Sequence, residues 1–164
     1  MRNIVLVGMP GCGKSTVGVI LAKTLGMSFT DTDLIICAEE KSTLQKIIET
    51  KGLEAFGEIE CNVGKNLQAD NTVVATGGSM ILYGDAMQSL KKDSVVVYIR
   101  VSLEELNRRL TNIKTRGITF SKGETLKDIF ESRTPLYEKY ADITVDADKY
   151  TIEETVTKLA ELLT

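Results

Sequence analysis

The segment from Gly8 to Ser15 reads GMPGCGKS and matches the pattern GxxxxGK[ST] at every fixed position. Glycines let a loop wrap closely around a polyphosphate, so that successive backbone N–H groups point at its oxygens. An apolar run, Asn3–Val7, precedes the loop and an amphipathic helix follows from Lys14, which is the context that the motif requires. The sequence therefore predicts a site for ATP with Mg²⁺ rather than a simple glycine-rich turn. The predicted nucleotide contacts are Gly11, Cys12, Gly13, Lys14, Ser15 and Thr16.

Within this loop the residue types suit separate tasks. Lys14 would place a positive charge at the β- and γ-phosphates, and the hydroxyl of Ser15 is a suitable ligand for Mg²⁺. Thr16 follows directly and can contact the α-phosphate. The helix that begins here adds the positive end of its dipole.

Two carboxylates follow the second predicted strand, in the run Asp31-Thr32-Asp33. One of them could hold Mg²⁺ through water, because Mg²⁺ gives up its hydration shell reluctantly. The other could accept a proton from an attacking hydroxyl group. The alternative is that Asp31 or Thr32 only caps the next helix. Their position beside a phosphate loop favours the functional interpretation.

Arginines are informative near such a loop because phosphoryl transfer spreads negative charge over several oxygens. Arg116 lies in the polar, glycine-containing segment from about residue 111 to 123, which we predict to be a mobile lid that excludes water. Arg133 lies in the run SRTPLY. Each arginine, taken alone, is more typical of a solvated surface than of a site.

Composition limits the chemistry further. The chain of 164 residues contains no histidine, so any general base must be a carboxylate, Lys, Tyr or Cys. Its three cysteines show no CxxC spacing, which disfavours a zinc site. The net charge of −3 argues against binding nucleic acid through bulk positive charge. No apolar run approaches the length that a bilayer needs, and we expect a cytoplasmic monomer that does not bind membranes.

The elements that must position these residues alternate between apolar runs and helical segments. Strands separated by helices imply right-handed crossovers and a parallel sheet, in which ligands bind beyond the carboxyl ends of the strands. We therefore predict one α/β domain over residues 1–164, with three layers and five parallel strands. The predicted strands are Asn3–Val7, Ser28–Asp31, Thr72–Thr76, Ser94–Ile99 and Ile143–Val145. Ser42 and Gln45 are predicted to form a capping box for one of the helices.

The chain resembles the shikimate kinase family, which has the P-loop kinase fold, and the resemblance runs nearly from end to end. The phosphate loop is shared with many kinases, whereas the other motifs in combination are much more specific. These motifs are the DTD at Asp31–Asp33, the pair Phe56 and Glu60, the ATGG at Ala75–Gly78, Arg109, Arg116 and the SRTPLY run at Ser132–Tyr137.

The resemblance implies a role for each matching residue. Asp33, Lys14 and Arg116 would be catalytic, and Asp33 would act as the base that also binds the substrate hydroxyls. Asp31 would hold Mg²⁺ through water together with Ser15. Gly78 would offer its N–H and Arg133 its charge to shikimate, while Arg109 would lie against adenine and Arg116 would reach the phosphates from the lid. The implied reaction converts ATP and shikimate into ADP and 3-phosphoshikimate.

The acceptor side departs from the family pattern at three positions. The family run Phe-Arg-x-x-Glu has an arginine that helps to bind the substrate carboxylate, whereas Gly57 stands there between Phe56 and Glu60. Ser79 replaces a third glycine, and Gly117 replaces a proline after the lid arginine. We still assign position 57 to the acceptor site. Two alternatives stay open, a kinase of the same fold for another small hydroxylated acid or polyol, and an inactive relative that only binds ATP.

Overall fold

A computed structural model of the chain describes residues 2–110 and 124–164. The strands are β1 (Asn3–Val7), β2 (Ser28–Asp31), β3 (Thr72–Ala75), β4 (Ser94–Arg100) and β5 (Ile143–Asp146). They form one sheet in the order β2–β3–β1–β4–β5, and every neighbouring pair is parallel. The predicted five-stranded parallel sheet is confirmed; β3 ends one residue earlier than predicted, and β4 and β5 each run one residue further.

Helices connect the strands and cover the sheet. They are α1 (Lys14–Leu25), α2 (Thr32–Glu40), α3 (Leu44–Lys51), α4 (Leu53–Asn66), α5 (Gly84–Lys91), α6 (Leu103–Leu110), α7 (Leu126–Tyr140) and α8 (Ile152–Leu163), with short 3₁₀ helices at Met80–Leu82 and Ala147–Lys149. Every residue of β3 is buried, so both faces of the sheet are covered, and the predicted three-layer α/β architecture is confirmed. None of the helices in the described ranges is long and apolar enough to cross a membrane.

The capping box predicted at Ser42 and Gln45 is wrong by one residue. Thr43 is the cap of α3, and its hydroxyl accepts a hydrogen bond from the Lys46 N–H at 3.2 Å. The backbone N–H of Ser42 instead donates to the carbonyl of Cys37 at 3.1 Å, because the chain is still closing the end of α2 there. The extended backbone of Thr43 is what lets its side chain reach the first turn of the helix.

The strand β1 lies at the centre of the sheet. It pairs with β3 on one side and β4 on the other, and its residues Ile4 to Val7 are at most 2% exposed. A second, smaller apolar cluster of Ile36, Ile47, Phe56 and Val63 holds α2, α3 and α4 together beside the sheet. These two clusters support the two sides of the site described below.

The register of the sheet brings three connecting segments together. Leu6 of β1 and Asp31 of β2 both pair with Ala75 of β3, so these three strands end at the same edge. Thr76, which follows β3, donates from its backbone N–H and its hydroxyl to the carbonyl of Leu6, at 3.2 and 2.8 Å. The phosphate loop, the acidic pair and the glycine turn are therefore neighbours, as the sequence predicts.

Candidate active site

The phosphate loop links β1 to α1 in a conformation that depends on glycine. Gly11 and Gly13 have φ angles of 84° and 97°, in the left-handed region that side chains rarely adopt. Lys14 is only 8% exposed, and its ammonium group donates to the carbonyl oxygens of Gly8 at 2.8 Å and Met9 at 3.1 Å. The lysine thus lies folded against its own loop, next to the cavity that this loop lines.

Cys12 contributes its side chain to the core rather than to the surface of the loop. It is 2% exposed and belongs to the main apolar cluster, with its thiol 3.7 Å from the Lys14 Nζ. Its backbone N–H donates to the carbonyl of Met9 at 3.1 Å. A nucleotide contact from this residue would therefore use backbone atoms.

Asp31 caps α2, as one of the two interpretations of the sequence has it, and its second carboxylate oxygen contacts the phosphate loop. One oxygen, Oδ1, accepts a hydrogen bond from the Asp33 N–H at 2.9 Å and caps α2. The other oxygen, Oδ2, accepts from the Ser15 hydroxyl at 2.6 Å. The cap therefore orients the carboxylate toward the first turn of α1.

The Ser15 hydroxyl and the Asp31 carboxylate form a pair of hard oxygen donors beside the phosphate loop, and this donor set suits Mg²⁺. Within the described ranges, no three Asp, Glu, Cys or His side chains group together as metal ligands. Mg²⁺ normally binds through one or two carboxylates together with waters and phosphate oxygens, so two protein donors fit this ion.

The carboxylates of Asp33 and Glu60 both lie close to Gly77. A Cβ atom added to Gly77 would lie 2.6 Å from the Asp33 Oδ1 and 2.7 Å from the Glu60 Oε2. Burial raises the pKa of Asp33 to about 6, with a further increase from Asp31 and an opposing effect of Lys14. Such a pKa leaves Asp33 ionised at neutral pH and still basic enough to accept a proton.

Glu60 is 1% exposed, and burial raises its pKa to about 7. The Ser79 hydroxyl, which donates a hydrogen bond to Glu60, lowers that pKa, while the charge of Asp33 raises it. The charges of Arg133 and Lys14 oppose the increase. Glu60 is thus a buried acid between the loop and the arginine. The site residues predicted from the sequence do not include Glu60. Its position four residues after Phe56, on the apolar side of a predicted helix, could have indicated a buried acid.

The glycine turn after β3 is held from two directions. A Cβ atom added to Gly78 would lie 2.8 Å from the Cδ of Pro10, so only glycine lets the turn approach the phosphate loop this closely. The Tyr137 hydroxyl donates to the Gly78 carbonyl at 2.7 Å and ties the turn to α7. Arg133, one turn earlier on α7, is 3% exposed.

One cavity of about 490 Å³ joins these groups. Its wall includes the phosphate loop, Asp33, Glu60, the glycine turn and Arg133, together with the residues that begin α3. The structure thus brings together most of the residues that the sequence predicts, with phosphate-binding groups at one end and a buried arginine among its walls.

Arg109 and Gly57 do not line this cavity. Arg109 lines a second cavity of about 340 Å³ on the other side of the phosphate loop, with Tyr150, and donates to the Gly11 carbonyl at 3.1 Å. Gly57 is buried in α4, where it faces the ring of Tyr83. Arg116 and the predicted lid at residues 111–123 lie outside the described residues.

Comparisons with known proteins give a consistent result. A family model for shikimate kinase matches residues 10–164. The chain is 39% identical to the shikimate kinase of Sulfurihydrogenibium sp. (strain YO3AOP1), over 97% of this chain and 98% of that protein. It is 33% identical to the shikimate kinase of Pseudomonas savastanoi pv. phaseolicola, over 99% of this chain and 98% of that protein.

Solved structures agree with these matches. Shikimate kinase from Acinetobacter baumannii in complex with shikimate superposes with a TM-score of 0.91 at 31% identity, over 99% of this chain and 93% of that one. A sugar kinase from Janibacter sp. HTCC2649 superposes with a TM-score of 0.61 at 16% identity, which shows a shared fold alone.

Proposed function

The chain belongs to the shikimate kinase family, and from this we infer that it is an ATP-dependent kinase that transfers the γ-phosphoryl group of ATP to a hydroxyl group of shikimate. The product would be 3-phosphoshikimate, an intermediate in aromatic amino acid biosynthesis. The observation that carries this proposal is a cavity lined by the phosphate loop, the carboxylates of Asp33 and Glu60, and Arg133.

On the nucleotide side, the proposal assigns the phosphates to Lys14, Thr16 and the loop backbone from Gly11 to Gly13. Lys14 would leave the carbonyls of its own loop for phosphate oxygens, which are stronger partners for an ammonium group. Arg109 would contact the adenine from the second cavity. Arg116, which lies outside the described residues, is proposed to reach the phosphates from the lid because of the family resemblance.

Ser15 and Asp31 would hold Mg²⁺, Ser15 directly and Asp31 through water. When bound, this ion neutralises the charge of the phosphate oxygens. The existing hydrogen bond between the two side chains keeps both donors together beside the phosphate loop.

On the acceptor side, Asp33 is the proposed base. As the acceptor oxygen forms its bond to the γ-phosphorus, the bond from that phosphorus to the bridging oxygen breaks and ADP leaves. Asp33 accepts the proton of the acceptor hydroxyl, so charge and atoms balance. The raised pKa of Asp33, about 6, suits a base that works near neutral pH.

The remaining acceptor contacts follow from charge and placement. Arg133 would bind the carboxylate of shikimate, and the Gly78 N–H would bind one of its oxygens. The charge of Arg133 acts on the buried Glu60, and Glu60 would help to orient this arginine. A monomeric state and a cytoplasmic location remain predictions from the sequence.

A panel of acceptors assayed for ADP formation with ATP and Mg²⁺ tests the proposal. The panel needs shikimate, quinate, a neutral polyol and a reaction without acceptor. Rapid turnover with shikimate alone supports the proposal. Turnover with another acceptor would assign a different kinase activity of the same fold, and ATP binding without turnover on any acceptor would indicate an inactive relative.

A further inference from the structure

Tyr83 occupies the space in which a side chain at position 57 would begin. Tyr83 closes the 3₁₀ helix Met80–Leu82 and caps α5, and from there its ring reaches α4. A Cβ atom added to Gly57 would lie 2.5 Å from the Tyr83 hydroxyl oxygen and 3.3 Å from the ring carbon that bears it. A Cβ contact below 3.0 Å forces one of the two groups to shift, so a side chain at position 57 would displace the Tyr83 hydroxyl from this position.

The same hydroxyl lies over the face of α4 that also carries Glu60, a residue that lines the cavity. Gly57 and Glu60 are three residues apart on α4 and therefore share one face of the helix. The charges of Glu60 and Arg133 both act on the partly buried Tyr83. Burial, followed by the charge of Glu60, raises the pKa of Tyr83 to about 12, and the charge of Arg133 opposes the increase. The phenol therefore keeps its proton, and with it a hydrogen-bond donor, throughout the neutral range.

Position 57 is also where the chain departs from the Phe-Arg-x-x-Glu run of its family. Glycine has no side chain with which to contact an acceptor. A side chain that takes over the contact made by the family's arginine would therefore come from another element. Tyr83 is such a group, since it comes from the segment between β3 and α5.

We propose that Tyr83 is a specificity-determining residue of the acceptor site, an inference that rests on the proposed function. Its hydroxyl, placed over Gly57, donates a hydrogen bond to the carboxylate of shikimate next to the charge of Arg133. The anionic group would then be held by one guanidinium and one neutral donor, and Gly57 is required because it leaves room for the phenol.

The first test compares Tyr83→Phe with Tyr140→Phe and wild type. Tyr140 is a matched control because it is also a partly buried tyrosine that packs against the main core, and the proposal gives it no role in binding. Loss of a hydrogen bond to a charged group should raise the KM for shikimate about tenfold or more in Tyr83→Phe. The KM for ATP should stay unchanged, and Tyr140→Phe should behave like wild type.

The methyl ester of shikimate makes this test specific for the carboxylate. Wild type should prefer shikimate over the ester in kcat/KM, and Tyr83→Phe should reduce that preference about tenfold, because the ester carries no charge. An unchanged preference in Tyr83→Phe, with wild type active on shikimate, overturns the role of Tyr83 alone. Wild type that is inactive on shikimate overturns the proposed function and this inference with it.

A second test needs no substrate and asks whether the Tyr83 hydroxyl and a side chain at position 57 compete for the same space. Gly57→Ala should lower the melting temperature of the wild-type protein, since the added Cβ meets the hydroxyl oxygen of Tyr83. In the Tyr83→Phe background the nearest ring atom is 3.3 Å away and needs to move by only a few tenths of an ångström, so Gly57→Ala should lower the melting temperature less than in wild type. Equal effects of Gly57→Ala in both backgrounds would contradict the placement of the phenol over Gly57.

Discussion

Replacement of Gly77 by alanine should uncouple turnover from nucleotide binding. The added Cβ would lie 2.6 Å from the Asp33 Oδ1 and 2.7 Å from the Glu60 Oε2, whereas ordinary contact begins at 3.4 Å. Both carboxylates must therefore retreat by about 0.7 Å, or the glycine turn must move by a similar amount. Gly77 is not among the glycines with a positive φ, so alanine causes no backbone strain and the whole effect comes from this contact.

The expected loss can be estimated from that displacement. A misplacement of about 1 Å in a catalytic group can cost roughly a hundredfold in rate, which corresponds to about 2.7 kcal/mol of activation free energy. Overpacking of this kind also destabilises a fold by roughly 1–3 kcal/mol. We therefore expect the kcat of Gly77→Ala to fall about a hundredfold, with a modest decrease in the free energy of unfolding.

The assay measures kcat at saturating ATP, Mg²⁺ and shikimate, and the Kd for ATP by calorimetry. Gly84→Ala is the matched control, because its added Cβ would meet only the Tyr140 hydroxyl, at an ordinary 3.7 Å. The ATP Kd should be unchanged in both variants, since neither substitution lies in the phosphate loop. A Gly77→Ala enzyme with a wild-type kcat would refute the reasoning that Asp33 acts from its observed position.

Three further predictions concern the charged groups of the site. Lys14→Ala should weaken ATP binding at least tenfold in calorimetry, because a charge-assisted contact to phosphate is lost; an unchanged Kd would contradict the phosphate-loop assignment. Asp33→Asn should reduce kcat by roughly 10²–10⁴-fold while the ATP Kd stays unchanged, because the amide cannot accept the proton; normal turnover would exclude Asp33 as the base. The pKa of Glu60 is raised from its ordinary 4.5 to about 7 in the folded protein. Between these pH values the folded state retains a proton that the unfolded state releases, so the free energy of unfolding should fall as pH rises from about 4.5 to 7. Glu60→Gln should flatten that slope in denaturant titrations, and an identical slope would show that Glu60 does not titrate there.

The part of the site built from contiguous residues could be predicted from the sequence. The phosphate loop is a local structure, because an apolar strand, three glycines and a helix start are all neighbours in the chain. The place of Asp31 and Asp33 followed from the end of a strand and the geometry of a parallel sheet. The sequence could not choose between a helix cap and a site residue for Asp31, because one carboxylate has two oxygens and each has its own partner.

The acceptor side was harder because its contacts join distant segments. Ser79 and Glu60 meet only through the packing of α4 against the segment after β3, and no spacing along the chain encodes that contact. The placement of Tyr83 over Gly57 has the same origin. Helix α5 itself was not predicted, since it begins at a glycine and its cap, Tyr83, makes no side-chain hydrogen bond to the first turn.

The hydrogen bond from Tyr137 to the Gly78 carbonyl has a consequence for redesign of this enzyme. It fixes the peptide plane between Gly78 and Ser79 to the same helix that carries Arg133. Ser79 in turn donates a hydrogen bond to Glu60 on α4, so the glycine turn connects α7 with α4. An engineer who seeks a new acceptor cannot adjust one of these segments while the others stay in place. Libraries that vary the glycine turn, α4 and α7 together therefore have a better prospect than successive single substitutions.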